Sequence, residues 1–114
     1  MTEKIVVMVT CGSRAEARKI VRAVVEARLA ACANVFGAPV QSIYRWKGKL
    51  ETAKEVLLLV KSTRKRFAVL EREIRRLHSY DTPEIIAVPI VAGSQTYLRW
   101  IEESVRGASG VSRG

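Results

Sequence analysis

Hydrophobic positions follow one another without a break in three short stretches of this chain. Residues 5–9, 56–60 and 85–91 read IVVMV, VLLLV and IIAVPIV. Consecutive β-branched and aliphatic residues are typical of strands that are covered on both faces of a sheet. The pattern therefore predicts strands over 4–11, 49–62 and 84–91.

Three other stretches repeat apolar residues every three or four positions, as amphipathic helices do. They predict helices over about 14–31, over about 64–78, and from Ser94 to a stop at Gly107. The first follows Ser13 and carries Glu16, the capping-box arrangement in which a serine hydroxyl and a glutamate carboxylate satisfy backbone donors. Ser94 is the expected cap of the last helix.

A fourth strand over 34–46 meets the strand over 49–62 at Trp46-Lys47-Gly48-Lys49, where glycine supplies the positive φ of a tight hairpin. The order βαββαβ followed by a helix predicts an α+β, ferredoxin-like domain over residues 1–106. We expect residues 107–114, GASGVSRG, to be a disordered tail.

Right-handed crossovers place the two main helices on one face of this sheet, which leaves the other face without a helix of its own. The strands are nevertheless aliphatic on both faces, and a soluble monomer rarely exposes so much contiguous apolar surface. We therefore expect other subunits to cover that face, with the long hairpin as an assembly arm.

Composition and charge narrow the function classes. The chain has 114 residues, is 48% hydrophobic and carries a net charge of +9. No apolar run reaches the roughly 20 residues that span a bilayer, and the first apolar run is better explained as a strand than as a signal peptide, which predicts a cytoplasmic protein away from membranes.

Eleven of the 20 basic residues fall in 14–28 and 64–76, where they suit solvated helix faces. Specific nucleic-acid binding is not expected, because the central strands carry no aromatic residues for stacking on bases.

Catalysis has little support in the sequence. Asp81 and Glu84 flank Pro83 and either do acid–base chemistry, bind a hard cation, or cap a turn before a strand. No phosphate-binding loop, dinucleotide fingerprint or Ser-His-Asp arrangement is present. We expect no catalytic residues and no organic cofactor.

Five segments together resemble one family. ARLAACANV, SIYRWKGKLE, EVLLLVKSTRKRF, LHSYDTPEIIAVPI and GSQTYLRWI are similar in order and spacing to the CutA family of divalent-cation tolerance proteins, over about residues 4–105. The resemblance implies a compact homotrimer of ferredoxin-like subunits, similar to PII signal transducers, with clefts between subunits. It also implies a metal-binding or signalling role in tolerance to copper and other divalent metals.

Some positions depart from the pattern that the resemblance implies. Lys47 stands where Glu or Gln is common, Ser79 replaces a usual Pro, and Gly12 stands where Pro often follows the first strand. We expect these differences to change the charge at the hairpin tip and to loosen the turn after His78.

The two cysteines have different predicted roles. An intervening helix of about 18 residues would hold Cys11 and Cys32 about 27 Å apart, too far for a disulfide. Cys32 is expected to be a small core residue. Cys11 lies near a helix N-terminus, whose partial positive charge favours the thiolate that binds soft metals such as Cu(I).

The resemblance implies that Cys11 and His78 are associated with copper binding. The residues alone leave alternatives open: Cys11 as a thiol without a ligand role, and His78 as a cation at a helix C-terminus. A single histidine without a ligand cluster does not predict a closed zinc site within one chain.

The resemblance also implies a ligand cleft, since Tyr44, Trp46, Lys61, Tyr80 and Glu84 match family-typical positions. Lys61 would neutralise either Glu84 or a small anionic effector. The alternatives are a buried Lys–Glu pair with aromatic packing, or a PII-like effector module with only an indirect link to metal.

Overall fold

The computed structural model describes residues 2–107, so the predicted tail after Gly107 lies outside the described residues. The chain forms five strands and three α-helices within that range: β1 (Lys4–Cys11), α1 (Arg14–Glu26), β2 (Cys32–Val35), β3 (Val40–Trp46), β4 (Lys49–Thr63), α2 (Phe67–Leu77), β5 (Ile85–Pro89) and α3 (Gln95–Val105). A single 3-10 turn, Arg64–Arg66, precedes α2.

The sheet has the order β2-β4-β1-β5, and every neighbouring pair is antiparallel. With β2 and β3 counted as one interrupted strand, this is the predicted ferredoxin-like α+β fold. Alternate residues of β1 and β4, among them Val7 and Val60, are fully buried beneath α1 and α2 in a single core cluster. Both main helices therefore cover the same face, as right-handed crossovers require.

The opposite face does carry a helix at one end, contrary to the prediction. Lys4 of β1 forms an ion pair of 3.1 Å with Glu102 of α3, and the sulfur of Cys32 lies 3.4 Å from the Tyr97 hydroxyl. By strand alternation, Lys4 and Cys32 point away from Val7 and Val60. A second, smaller core of Ala31, Ile101 and Val105 forms beneath α3.

The rest of that face stays open. Ile86 and Val88 of the edge strand β5 pair with Met8 and Val6 of β1, so all four side chains share the face. Ile86 is 50% exposed and Val88 is 42% exposed. A contiguous exposed apolar area of this kind is typical of a surface that another chain covers.

Helix α1 ends at Glu26, about five residues before the predicted end near 31. Arg28 has a φ of 61°, in the left-handed region that terminates helices, and Leu29 and Ala30 donate their N–H groups back to the carbonyl of Val24. The side chain of Leu29 then enters the main core. The apolar spacing continues past the end of the helix because Leu29 and Ala30 pack into the core from an irregular segment.

The predicted strand 34–46 is interrupted. The four residues 36–39 between Val35 and Val40 face only residues 56 and 57 of β4, which continues unbroken past the interruption. Pro39 has no N–H to contribute to a ladder, which explains why regular pairing resumes only at Val40.

Beyond the interruption, β3 and β4 form the predicted hairpin arm. Trp46 pairs with Lys49, and both turn residues between them have positive φ, 50° for Lys47 and 80° for Gly48. Two positive φ angles in a two-residue loop define a type I′ turn. None of the helices in the described part of the chain is both long and apolar enough to cross a membrane.

Candidate functional site

Three side chains with metal-binding atoms meet where β1, α1 and α2 come together. Cys11 ends β1, Glu16 lies in the first turn of α1, and His78 is the C-cap of α2. The thiol sulfur, one carboxylate oxygen and one ring nitrogen all lie within 4.8 Å of one another. We call this cluster the Cys-Glu-His triad.

Sequence analysis missed Glu16 as a member of the triad. The Ser13 hydroxyl caps α1 as predicted, by accepting a hydrogen bond of 3.1 Å from the N–H of Glu16. The carboxylate of Glu16, however, accepts from the N–H of Ser79 at 3.1 Å instead of completing the capping box. The available signal was a carboxylate in the first turn of the helix that follows the Cys11 strand.

Ser79 has a specific part in this arrangement. Its N–H anchors the Glu16 carboxylate, and a proline at this position would have no N–H to donate. The turn after His78 is therefore tied to α1, rather than loosened as the sequence suggested.

The imidazole of His78 is oriented by the backbone. Its side chain is fully buried, and Nε2 lies 2.8 Å from the carbonyl oxygen of Thr10. A carbonyl only accepts hydrogen bonds, so we assign the proton to Nε2. Nδ1 accepts from the N–H of Tyr80 at 3.2 Å and lies 3.2 Å from a Glu16 oxygen. Nδ1 is consequently the ring atom that faces the Glu16 carboxylate.

The thiol of Cys11 differs from the expectation of a ready thiolate. Cys11 is fully buried, and burial, followed by the negative charges of Glu16 and Glu55, raises its pKa to about 12. These effects outweigh the nearby helix N-terminus, because a desolvated thiolate beside carboxylates is strongly disfavoured. A metal ion bound here would have to displace the thiol proton.

Cys32 lies apart from the triad and is not the core residue that was predicted. It is half-buried on the α3 side of the sheet, next to the Tyr97 hydroxyl. That hydrogen bond, followed by burial, raises the pKa of Tyr97 to about 12. Both cysteines are free thiols, in agreement with the exclusion of a disulfide, although α1 is shorter than the helix on which that argument relied.

Four of the five predicted cleft residues line one open cavity of about 800 Å³. Tyr44 and Trp46 come from the hairpin arm, while Tyr80 and Glu84 come from the loop between α2 and β5. We call it the aromatic cavity. Lys61 does not line it: its ammonium group donates to the side chain of Asn34, and no Lys61–Glu84 ion pair forms within residues 2–107.

The aromatic cavity is acidic. Its charged lining residues are Glu55, Asp81 and Glu84, and no Lys, Arg or His of the described chain lines it. The Tyr80 hydroxyl donates a hydrogen bond of 2.8 Å to Glu55, and burial together with that carboxylate raises the pKa of Tyr80. This charge disfavours the small anionic effector that the sequence suggested.

The cavity and the triad are neighbours. Thr10 and Ser79 line the cavity and also hold His78 and Glu16 through their backbone groups. The rings of His78 and Tyr80 are in contact, with centroids 4.7 Å apart. A Cβ atom at Gly12 would lie only 3.2 Å from the Tyr80 hydroxyl, so the absence of a side chain there gives this ring its room.

Known proteins are similar to this chain over almost its whole length. The family model described as CutA1 divalent ion tolerance protein matches residues 5–104. The "Divalent-cation tolerance protein CutA" of Thermus thermophilus is 46% identical over 99 residues, which cover 87% of this chain and 95% of that protein. The protein of the same name from Archaeoglobus fulgidus is 40% identical over 99 residues, which again cover 87% of this chain and 95% of the relative.

Solved structures agree with these sequence matches. The A. fulgidus structure, described as a periplasmic divalent cation tolerance protein CutA, has a TM-score of 0.87 at 39% identity and covers 90% of this chain and 99% of its own. The T. thermophilus structure has a TM-score of 0.86 at 44% identity and covers 89% and 97% of the two chains. By sequence and by fold, this chain belongs to the CutA1 divalent ion tolerance family.

Proposed function

We propose that this protein binds a metal ion through Cys11, Glu16 and His78 and acts in tolerance to divalent cations. The single observation that carries the proposal is the approach of three different donor atoms to within 4.8 Å of one another. The relatives named divalent-cation tolerance proteins support the same role.

The donor set favours a soft or borderline metal. A thiolate and an imidazole suit copper and zinc, whereas calcium and magnesium prefer sites made of oxygen ligands alone. A zinc-sized ion holds sulfur at about 2.3 Å and nitrogen at about 2.0 Å, so the two donors would lie at most about 4.3 Å apart. To bind such an ion, the triad would close slightly, Cys11 would lose its thiol proton, and Nδ1 of His78 would exchange the Tyr80 N–H for the metal.

Backbone groups orient two of the three triad side chains. The Thr10 carbonyl orients the His78 ring and the Ser79 N–H orients the Glu16 carboxylate. Hydrogen bonds of this kind fix the ring and carboxylate of metal ligands in other proteins. Copper is the metal that we propose first, with other divalent ions as competitors.

Native mass spectrometry of the reduced full chain tests the metal site. Protein is titrated with Zn²⁺, and separately with Cu(I) under reductant, at equal chain concentrations. We expect one ion per chain, lost in Cys11→Ala and weakened in Glu16→Gln. The glutamine keeps an oxygen that accepts from Ser79 but loses the charge that a metal needs.

Cys32→Ala is the matched control, since it removes the other thiol outside the triad. Metal uptake that persists in Cys11→Ala but disappears in Cys32→Ala would overturn the assignment. Circular dichroism of each variant separates loss of metal from loss of fold.

We also propose that the protein assembles as a homotrimer. The partly exposed strand β5 beside Met8 and Val6 supports a partner of the same chain, and the family relationship supports three subunits. The mass of the intact complex in the same spectra tests this number, and a monomer would contradict it.

The proposed role is binding rather than catalysis, and the proposed location is the cytoplasm. Free thiols at Cys11 and Cys32 are usual in reducing compartments. Since the A. fulgidus relative is described as periplasmic, fractionation of source cells is the direct test.

A further inference from the structure

The aromatic cavity is separate from the metal triad in its chemistry, and the proposed function does not use it. It has a volume of about 800 Å³ and is open to solvent. Sites for organic molecules typically have about 300–1,000 Å³, so this space is far larger than one hydrated ion requires.

Two kinds of wall define what the cavity can hold. The aromatic wall consists of Tyr44, Trp46 and Tyr80. The acidic wall consists of the exposed carboxylates of Asp81 and Glu84, in the loop before β5, and the buried carboxylate of Glu55. The chain carries +9 overall, yet none of its described basic residues lines this space. The local charge is therefore opposite in sign to that of the whole molecule.

The Trp46 ring already lies near one ammonium group of the protein. The Nζ atom of Lys47 lies 5.9 Å from the ring centroid, inside the range of about 6 Å for cation–π attraction. Lys47 is at the tip of the hairpin and does not line the cavity. A ligand ammonium could therefore approach the inner side of the same ring.

We infer that the aromatic cavity binds an aliphatic polyamine, with its ammonium groups on the carboxylates and its methylene chain against the aromatic rings. A hydrated inorganic ion would gain nothing from those rings, and an anion would meet three carboxylates. The long-range repulsion from the basic helices does not prevent binding, because it is screened over about 8 Å at physiological salt.

Isothermal titration calorimetry with spermidine tests the inference on the full chain at constant ionic strength. We expect one spermidine per chain, with affinity reduced about tenfold in the double variant Asp81→Asn, Glu84→Gln, since two exposed charge contacts are lost together. Glu26→Gln, an exposed carboxylate on α1 outside the cavity, should leave affinity unchanged.

Two tryptophans of similar exposure test the contribution of the aromatic wall to spermidine binding. Trp46 is 41% exposed in the cavity wall, and Trp100 is 43% exposed on α3. Trp46→Leu should weaken spermidine binding several-fold, whereas Trp100→Leu should not. Lys47→Gln should tighten binding modestly, since it removes a positive charge 5.9 Å from the Trp46 ring.

Three results would overturn the inference. The first is no saturable spermidine binding, as when a neighbouring subunit fills the cavity, and the second is an equal loss of spermidine affinity in the cavity variants and the control variants. The third is displacement of spermidine by Mg²⁺ as strong as its displacement by spermine. Cys11→Ala should bind spermidine normally while failing to bind metal. That comparison distinguishes failure of this inference from failure of the metal proposal.

Discussion

At the residue scale, burial determines the chemistry of Cys11. The thiol lies in the main core between β1 and the helices, with Glu16 and Glu55 as its nearby charges. Sequence position next to a helix start suggested a reactive thiolate, but the strand also directs this side chain inward. Cys11 should therefore be inert toward alkylating reagents in the folded protein and reactive once the chain is unfolded.

The free energy of unfolding should depend on the Cys11 thiol at alkaline pH. The pKa of Cys11 is raised from 9.0 to about 12, so the fold favours the neutral form. Its contribution is fully present below pH 9 and is lost as pH rises toward 12, because the unfolded chain releases the proton first. We expect the free energy of unfolding of the native sequence to fall more steeply than that of Cys11→Ala between about pH 8.5 and about pH 10.5.

Urea denaturation at fixed protein concentration measures this difference, with Cys32→Ala as the control that keeps Cys11. Equal pH slopes for the native sequence and Cys11→Ala would show that the thiol does not carry the effect.

At the element scale, the two serine caps have different local contacts. The Ser13 hydroxyl accepts from the N–H of Glu16 at the start of α1. Ser94 occupies the same position before α3 without a side-chain cap bond, and its hydroxyl pairs with that of Thr96. The sequence predicted both caps, but only the first has the expected hydrogen bond.

The two caps make a matched test of helix stabilisation. Ser13→Ala should lower the free energy of unfolding by about 1 kcal/mol, the usual effect of removing a functioning cap. Ser94→Ala should cost less than about 0.5 kcal/mol, as surface substitutions generally do. Urea denaturation of both variants checks this, and a larger effect at Ser94 would contradict the assignment.

The hairpin turn offers a stabilising substitution. Lys47 has a φ of 50°, which strains most residues but which asparagine tolerates. Lys47→Asn should therefore raise the free energy of unfolding by up to about 1 kcal/mol. Lys47→Val should lower it, because valine is β-branched. Thermal midpoints of the native sequence and both variants check this, and a midpoint for Lys47→Val above that of Lys47→Asn would contradict the prediction.

At the scale of the whole molecule, part of the sheet face opposite α1 and α2 remains uncovered in a single chain. Helix α3 covers one end of this face, and β5 remains accessible at the other. The exposed aliphatic side chains of β5 continue the apolar surface of β1. Assembly of several chains would bury this surface and explain why the strands are apolar on both faces.

Two valines of equal exposure test the assembly surface. Val88 on β5 and Val69 on α2 are both 42% exposed. Val88→Glu should reduce the mass of the complex toward that of a monomer, because it places a charge in the proposed interface. Val69→Glu should leave the mass unchanged. Light scattering after gel filtration measures both, and an unchanged mass in Val88→Glu would locate the interface elsewhere.

The sequence by itself determined the fold class, because local signals agreed with one another. Uninterrupted aliphatic runs, helical spacing and the Lys47-Gly48 turn each depend on nearest neighbours in the chain, and together they predict one element order. They fail where one residue pattern serves two structures. Leu29 and Ala30 continue a helical spacing, yet they fill the core from a loop after Arg28.

Only the tertiary structure decided the composition of the candidate sites. Glu16 and His78 are 62 positions apart, and their meeting depends on how α1 and α2 pack on the sheet. The same packing buries Cys11, separates Lys61 from the aromatic cavity and leaves that cavity acidic in a basic chain. Distances, desolvation and local charge depend on contacts between distant segments, and these contacts are properties of the folded chain.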